Sequence, residues 1–299
     1  LGTRIPAPKS VKIELTARCN YRCKFCALAT RENQPRKDMD RELYSRIVRE
    51  MAAAGVKEIG AFYIGESFLN VDLLEFAIKE AHDAGIPYVF LTTNGSIATP
   101  EAVERVMKAG LNSLKFSMTT ADDEQFEQVI GAPATMRHKA IEHLKAARAI
   151  RDAGNYNCGI YASSIKYDDE QLALAEKLAD EIKPHVDEHY WLPLYSFGSL
   201  ATEQQAKHGL DKPTPGNMGR VGALRAPLPC WCVFTEGHVL YDGRLTLCGF
   251  DNGRGDWVCG DLKTESFMDA WNSETARKLR AAHLRRDVTG TACETCAAY

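Results

Sequence analysis

The sequence predicts an α/β protein: a partial (βα)6 barrel of parallel strands followed by a smaller, cysteine-rich domain. Strand-like and helix-like segments alternate six times between residues 11 and 195 with short connections. Each return to a parallel neighbour requires a helical crossover. Gly55, Gly85 and Gly110 follow three of the helical segments, at the position where a left-handed residue closes a helix. Six strands cannot close as eight do, so the barrel is expected to stay open on one side.

In chain order, Val11-Lys12-Ile13-Glu14-Leu15 reads as the first strand and 40–54 as the first helix, ending at Gly55. A second strand over 58–64 precedes helix 71–84, and a third over 88–93 precedes helix 100–109, opened by Thr99-Pro100. The fourth strand, 113–118, leads into a helical stretch over 122–151 that Gly131-Ala132-Pro133 interrupts. The fifth strand, 156–163, is followed by helix 169–182, opened by Asp168-Asp169, and the sixth strand by 189–194. Residues 1–195 are thus assigned to the barrel. Residues 196–229 alternate glycine with proline and read as a bridging loop. Residues 230–299 form the second domain: a hairpin of 233–241 and 244–250 turning at Asp242-Gly243, then a helix over about 265–286.

The 299 residues carry 37 Lys+Arg against 40 Asp+Glu, a net charge of −3, which argues against a phosphate-driven nucleic-acid binder. No apolar run reaches the roughly 18 residues of a membrane span. The start, LGTRIPAPKS, has no apolar secretory core, so a cytoplasmic protein is expected. Ten cysteines are the abnormal feature, and nine of them lie within 19–26 and 230–296. In a reducing compartment, clustering of that kind points to metal or redox chemistry rather than disulfides.

Parallel sheets of this class carry function at the carboxyl ends of their strands, which collects Thr16 to Cys26, Gly65-Glu66, Thr93-Asn94-Gly95 and Ser117 around one mouth. Cys19, Cys23 and Cys26 are spaced C-x3-C-x2-C on the loop after the first strand. Three thiolates on one loop can hold three corners of a cubane iron–sulfur cluster and leave the fourth iron open to a small molecule. Zinc is the alternative, but it wants a fourth Cys or His, and none is near in sequence.

This loop resembles the signature of the radical S-adenosylmethionine (SAM) enzymes. The family's Gly-Gly-Glu turn after strand two is represented by Ile64-Gly65-Glu66, one glycine being replaced. The resemblance implies that Cys19, Cys23 and Cys26 hold a [4Fe–4S] cluster. It further implies that Gly65, Glu66, Thr93, Asn94 and Ser117 meet S-adenosylmethionine and that Phe25 packs on its adenine. The chemistry so implied is one-electron cleavage to a 5′-deoxyadenosyl radical, which abstracts a substrate hydrogen. The electron comes from a donor such as flavodoxin, for which the basic segment Arg277, Lys278, Arg280, Arg285 and Arg286 is one candidate docking face, against the plainer reading of a solvated helix.

The tail resembles the SPASM/twitch subgroup through Cys230-Trp231-Cys232, Gly243, Cys248, Gly260-Asp261-Leu262, Trp271-Asn272 and the Cys293/Cys296 pair. That implies one auxiliary [4Fe–4S] cluster, with zinc again the alternative. Three cysteines for the first cluster and four for the second leave three over. Cys158 reads as a core residue. A thiol beside a carbon radical is a good hydrogen-atom donor, because S–H is weaker than C–H.

The twitch pattern alone would make Cys248 a ligand. A closer resemblance, to radical epimerases of aminoglycoside biosynthesis, instead makes it the thiol that returns hydrogen to the substrate, leaving Cys230, Cys259, Cys293 and Cys296 as the auxiliary ligands. Only 18 residues precede Cys19, which favours a small-molecule substrate over a leader-bearing peptide. The resemblance therefore implies an aminoglycoside epimerase. A radical dehydrogenase of an aminocyclitol or sugar alcohol and a zinc-binding scaffold are the alternatives.

Overall fold

The computed structural model describes residues 2–31, 34–165, 167, 169–192, 194, 201–208, 228–251, 255–294 and 296. The first half alternates as expected: β1 (Ser10–Ile13), α1 (Arg41–Ala54), β2 (Glu58–Gly60), α2 (Val71–Asp83), β3 (Tyr88–Thr93) and α3 (Pro100–Lys108). It continues with β4 (Ser113–Ser117), α4 (Asp123–Ile130), α5 (Ala134–Gly154), β5 (Gly159–Ile165), α6 (Asp169–Ile182) and β6 (Glu188–Leu192). The six strands pair in parallel in the order β6-β5-β4-β3-β2-β1.

Local chemistry sets the helix ends. Asp40, Asn70, Thr99 and Asp122 accept from the backbone N–H of Leu43, Leu73, Ala102 and Gln125, meeting donors that a first turn leaves unpaired. Gly131, left-handed at φ 71°, ends α4, and Pro133 precedes the first turn of α5, so the interruption of the long helical stretch is real.

Alternate side chains of each strand face opposite ways. Val11, Ile13, Ile59, Val89, Leu91, Leu114, Phe116, Ile160 and Ala162 are buried in one apolar core with helix residues such as Ile47, Met51, Leu74, Ile78, Val103 and Leu144. Lys12, Lys115 and Ser117 alternate with these core residues and are half-buried. A second apolar group, including Tyr21, Phe126, Val129, Ile130 and Tyr167, packs with Cys19, Cys23 and Phe25 of the first cysteine loop.

The C-terminal part departs from expectation in instructive ways. Residues 232–235 are a helical turn, α8 (Cys232–Thr235), so the hairpin strands shorten to β7 (Glu236–Val239) and β8 (Arg244–Thr246), with Gly243 at φ 88° in the turn. β7 runs parallel to β1, pairing Ser10 with Glu236, so the second domain extends the barrel sheet. A further strand, β9 (Val258–Asp261), pairs antiparallel with β8 and makes the sheet nine-stranded.

The expected helix over 265–286 is two, α9 (Phe267–Trp271) and α10 (Glu274–Arg285), because the Ser273 hydroxyl caps a new first turn at Ala276. The bridge contains a short helix, α7 (Thr202–Lys207), in place of loop. Apart from 201–208 and 228–229, the expected bridging loop lies outside the described residues.

The basic segment on α10 is not one continuous docking face. Arg280 is 0% exposed: its Nε donates to the Val233 carbonyl at 2.8 Å and its guanidinium lies 4.3 Å from the centre of the Trp271 ring. Helical spacing places it with buried Ala276, Leu279 and His283. Lys278 pairs with Glu274 at 2.7 Å. Among the described residues, no helix is long and apolar enough to cross a membrane.

Candidate functional site

The loop after β1 carries Cys19, Cys23 and Cys26 to the carboxyl ends of the strands. It is pinned there by two sets of hydrogen bonds. Asn94 Nδ2, past the end of β3, donates to Asn20 Oδ1 at 2.8 Å, while Asn20 Nδ2 donates to Ser96 Oγ at 2.8 Å. Glu66, 2% exposed, accepts from Thr93 Oγ1 at 2.9 Å, from the Asn94 N–H at 2.8 Å and from the Phe68 N–H at 3.1 Å. The Glu66 N–H in turn donates to the Arg18 carbonyl at 2.8 Å. Glu66, Thr93 and Asn94 thus bind the loops after β1, β2 and β3 into one frame. Burial pushes the Glu66 carboxyl above its ordinary range, opposed by those three hydrogen bonds.

Gly65 is the glycine this frame needs. A Cβ there would stand 2.0 Å from the Thr16 carbonyl oxygen and 2.7 Å from that of Arg18. The close approach falls on Gly65 and not on Ile64, where the family's other glycine is replaced. Gly65→Ala is expected to push the turn off the cysteine loop, costing about 1–3 kcal/mol of stability and lowering S-adenosylmethionine affinity. Thermal unfolding and equilibrium binding check both effects.

The three thiols are neighbours. Burial pushes Cys19 up to about 12, with further increases from Glu66 and Cys26. Burial also raises Cys23, helped by Cys26 and Cys19, and raises Cys26. Cys19 Sγ accepts from the Tyr21 N–H and Cys26 Sγ from the Leu28 N–H, each at 3.4 Å. Phe25 is half-buried, 6.3 Å from the Tyr167 ring, and its carbonyl accepts from Gln205 Nε2 of α7 at 3.0 Å. Ser117 lines a cleft with Tyr21, Asn94, Met118 and Arg137.

Ser163 is a buried polar residue beside Ser117 that the sequence does not single out. It pairs in register with Ser117, is 1% exposed, and its hydroxyl has no hydrogen-bond partner among the described residues. Its position at the carboxyl end of a strand, as for Ser117, is the signal that could have found it.

A second thiol group forms where α8, the β8 end and the C-terminal segment meet. Hydrogen bonding with Cys230 is the main cause that raises Cys232, followed by burial and by the charges of Cys230 and Cys248. Burial raises Cys248 strongly, with further increases from Cys293, Cys296 and Cys230. The Trp257 Nε1–H donates to Cys293 Sγ at 3.3 Å.

Cys259, expected as an auxiliary ligand, has different surroundings from this group. It is buried, its sulfur donates to the Leu245 carbonyl at 3.4 Å, and its charged neighbours are Arg280 and Glu265 rather than cysteines. Tyr63, also missed in the sequence, ties the second group to the mouth. Its hydroxyl lies 3.1 Å from the Cys248 carbonyl and 2.7 Å from that of Asp251, and its ring lies 5.1 Å from that of His238.

Among the described residues, no three Cys, His, Asp or Glu side chains close around a single-ion site, so both sets of thiols are neighbours rather than ligands about one point. The donors themselves suit iron–sulfur clusters. They are soft, gathered, and in Cys19, Cys26 and Cys293 already accept N–H groups at sulfur.

Residues 13–186 match the Radical SAM superfamily. The chain belongs to that superfamily. This radical SAM protein also matches an iron–sulfur cluster-binding domain, named SPASM, over residues 230–297. Its cofactors are S-adenosylmethionine and two iron–sulfur clusters.

A similar curated protein is the AdoMet-dependent heme synthase of Methanosarcina barkeri (strain Fusaro / DSM 804), 30% identical over 318 residues that cover 92% of this chain and 85% of that one. The radical SAM fold here is similar to that of BtrN in complex with AdoMet and 2-DOIA (TM-score 0.60, 15% identity, 93% of this chain and 88% of that one). It is also similar to Streptococcus suis SuiB bound to S-adenosylmethionine (TM-score 0.66, 16% identity, 99% of this chain and 71% of that one).

Proposed function

We propose that this radical SAM protein is an epimerase of an aminoglycoside, inverting C-5‴ of neomycin C to give neomycin B. The observation that carries the reading is the place of Cys248. Its buried thiol neighbours Cys230, Cys232, Cys293 and Cys296, and Tyr63 holds its carbonyl to the loop that follows β2. In this reading Cys248 is the hydrogen donor, and the auxiliary ligands are Cys293, Cys296, Cys230 and one of Cys232 and Cys259, the latter with its thiol on the Leu245 carbonyl.

When bound, S-adenosylmethionine on the Cys19/Cys23/Cys26 cluster supplies a 5′-deoxyadenosyl radical, and the auxiliary cluster supplies an electron reservoir. The chain's own part is positional. The Glu66–Thr93–Asn94 frame, Gly65 and Ser117 hold the cofactor, Phe25 packs on its adenine, and the buried loop excludes water. Cys248 donates a hydrogen atom to the substrate carbon on the face opposite the abstraction: its S–H bond breaks, the new C–H bond forms, and a thiyl is left. One electron and one proton restore the thiol. The partners are a small aminoglycoside and a one-electron donor such as flavodoxin.

Product analysis tests the reading. Anaerobic reaction of the reconstituted protein with S-adenosylmethionine and neomycin C is expected to give 5′-deoxyadenosine and neomycin B of unchanged mass. A product lighter by two hydrogens would replace the epimerase with a dehydrogenase. Zinc without iron in the reconstituted protein would remove both.

A further inference from the structure

Trp257 is a buried polar side chain that the proposed reaction leaves unused. It precedes β9, is 3% exposed, and turns its only polar group onto the sulfur of Cys293 at 3.3 Å. An indole N–H donates and cannot accept, so it favours whichever state of its partner carries more negative charge. Its surroundings make that charge count. The indole is almost wholly buried, and away from water a hydrogen bond to a charged sulfur is worth more than it is in solvent. Thr291 Oγ1, which accepts from the Cys293 N–H at 3.2 Å, fixes the cysteine backbone, so the sulfur is held where the indole points.

Reduction adds one electron to a cluster whose thiolate ligands share the added charge. A donor hydrogen bond on a ligand sulfur stabilises the reduced form more than the oxidised form, and so raises the reduction potential. We infer that Trp257 is a tuning residue for the auxiliary cluster, its N–H on Cys293 making that cluster easier to reduce. This rests on the proposed role of Cys293 as a ligand of the auxiliary cluster, and not on the epimerase reading.

The test removes the N–H and reads the potential. In a background of Cys19/Cys23/Cys26→Ala, where only the auxiliary cluster remains, Trp257→Phe keeps a ring at that position and loses the donor. Titration with a chemical reductant, followed by electron paramagnetic resonance, is expected to show a three- to tenfold less favourable one-electron reduction with iron content unchanged. Tenfold corresponds to about 59 mV downward. Replacement of Trp257 by benzothienylalanine, which has sulfur in place of N–H at the same size, is expected to shift the midpoint equally and guards against a packing effect of Phe. An unchanged midpoint in both proteins overturns the inference. Full auxiliary iron in Cys293→Ala overturns the premise instead, since Cys293 is then no ligand.

Discussion

Cys248→Ala is expected to keep both clusters, to cleave S-adenosylmethionine and abstract the substrate hydrogen, and yet to lose epimer formation by about two orders of magnitude or more. The two halves of that result separate two roles for one thiol. A hydrogen donor acts only after the substrate radical exists, so its loss leaves every earlier step intact. A ligand acts before any chemistry, so its loss removes iron. Iron and sulfide content, 5′-deoxyadenosine yield and neomycin B yield, measured on one preparation, read both. Auxiliary iron lost from Cys248→Ala would make Cys248 a ligand and send the search for a donor to Cys232, since the Cys259 sulfur is buried against Leu245.

Replacing Cys19, Cys23 and Cys26 together with Ala is expected to abolish 5′-deoxyadenosine formation while leaving the iron of the second cluster in place. Independence is expected because the two thiol groups share no loop. The first packs with Tyr21, Phe126 and Val129, the second against α8 and the C-terminal segment. Burial raises all three thiols, and a cluster takes them as thiolates, so loading is expected to be favoured by higher pH. Cofactor cleavage at the parent rate by the triple variant would contradict the assignment.

The barrel was legible because its signals are local. Helix-closing glycines, capping residues such as Thr99 and Asp122, and alternating apolar strands each act within a few residues of themselves. The place of the first cysteine loop was legible for the same reason, three cysteines standing within eight residues just after the first strand.

The second domain was less so, because its organisation is set by contacts distant in sequence. Cys232 to Thr235 has strand-like composition but closes as a helical turn beneath Arg280, forty-odd residues later, which donates to the Val233 carbonyl. β7 finds its partner in β1, more than two hundred residues back, and no local pattern announces that pairing. The burial of Cys259 against Leu245 follows from β9 pairing with β8, which no local pattern shows. Tyr63 and Ser163 carry no motif at all, and their meaning comes from which loop and which register they meet.

The central claim is that a protein thiol returns the hydrogen, and solvent isotope reads it most directly, because thiol hydrogens exchange with water and C–H hydrogens do not. Reaction of neomycin C in D2O is expected to give neomycin B carrying one deuterium, at C-5‴, while recovered neomycin C carries none. Neomycin B formed in D2O without deuterium at that carbon would contradict the account, since the hydrogen would then have come back from 5′-deoxyadenosine and not from Cys248.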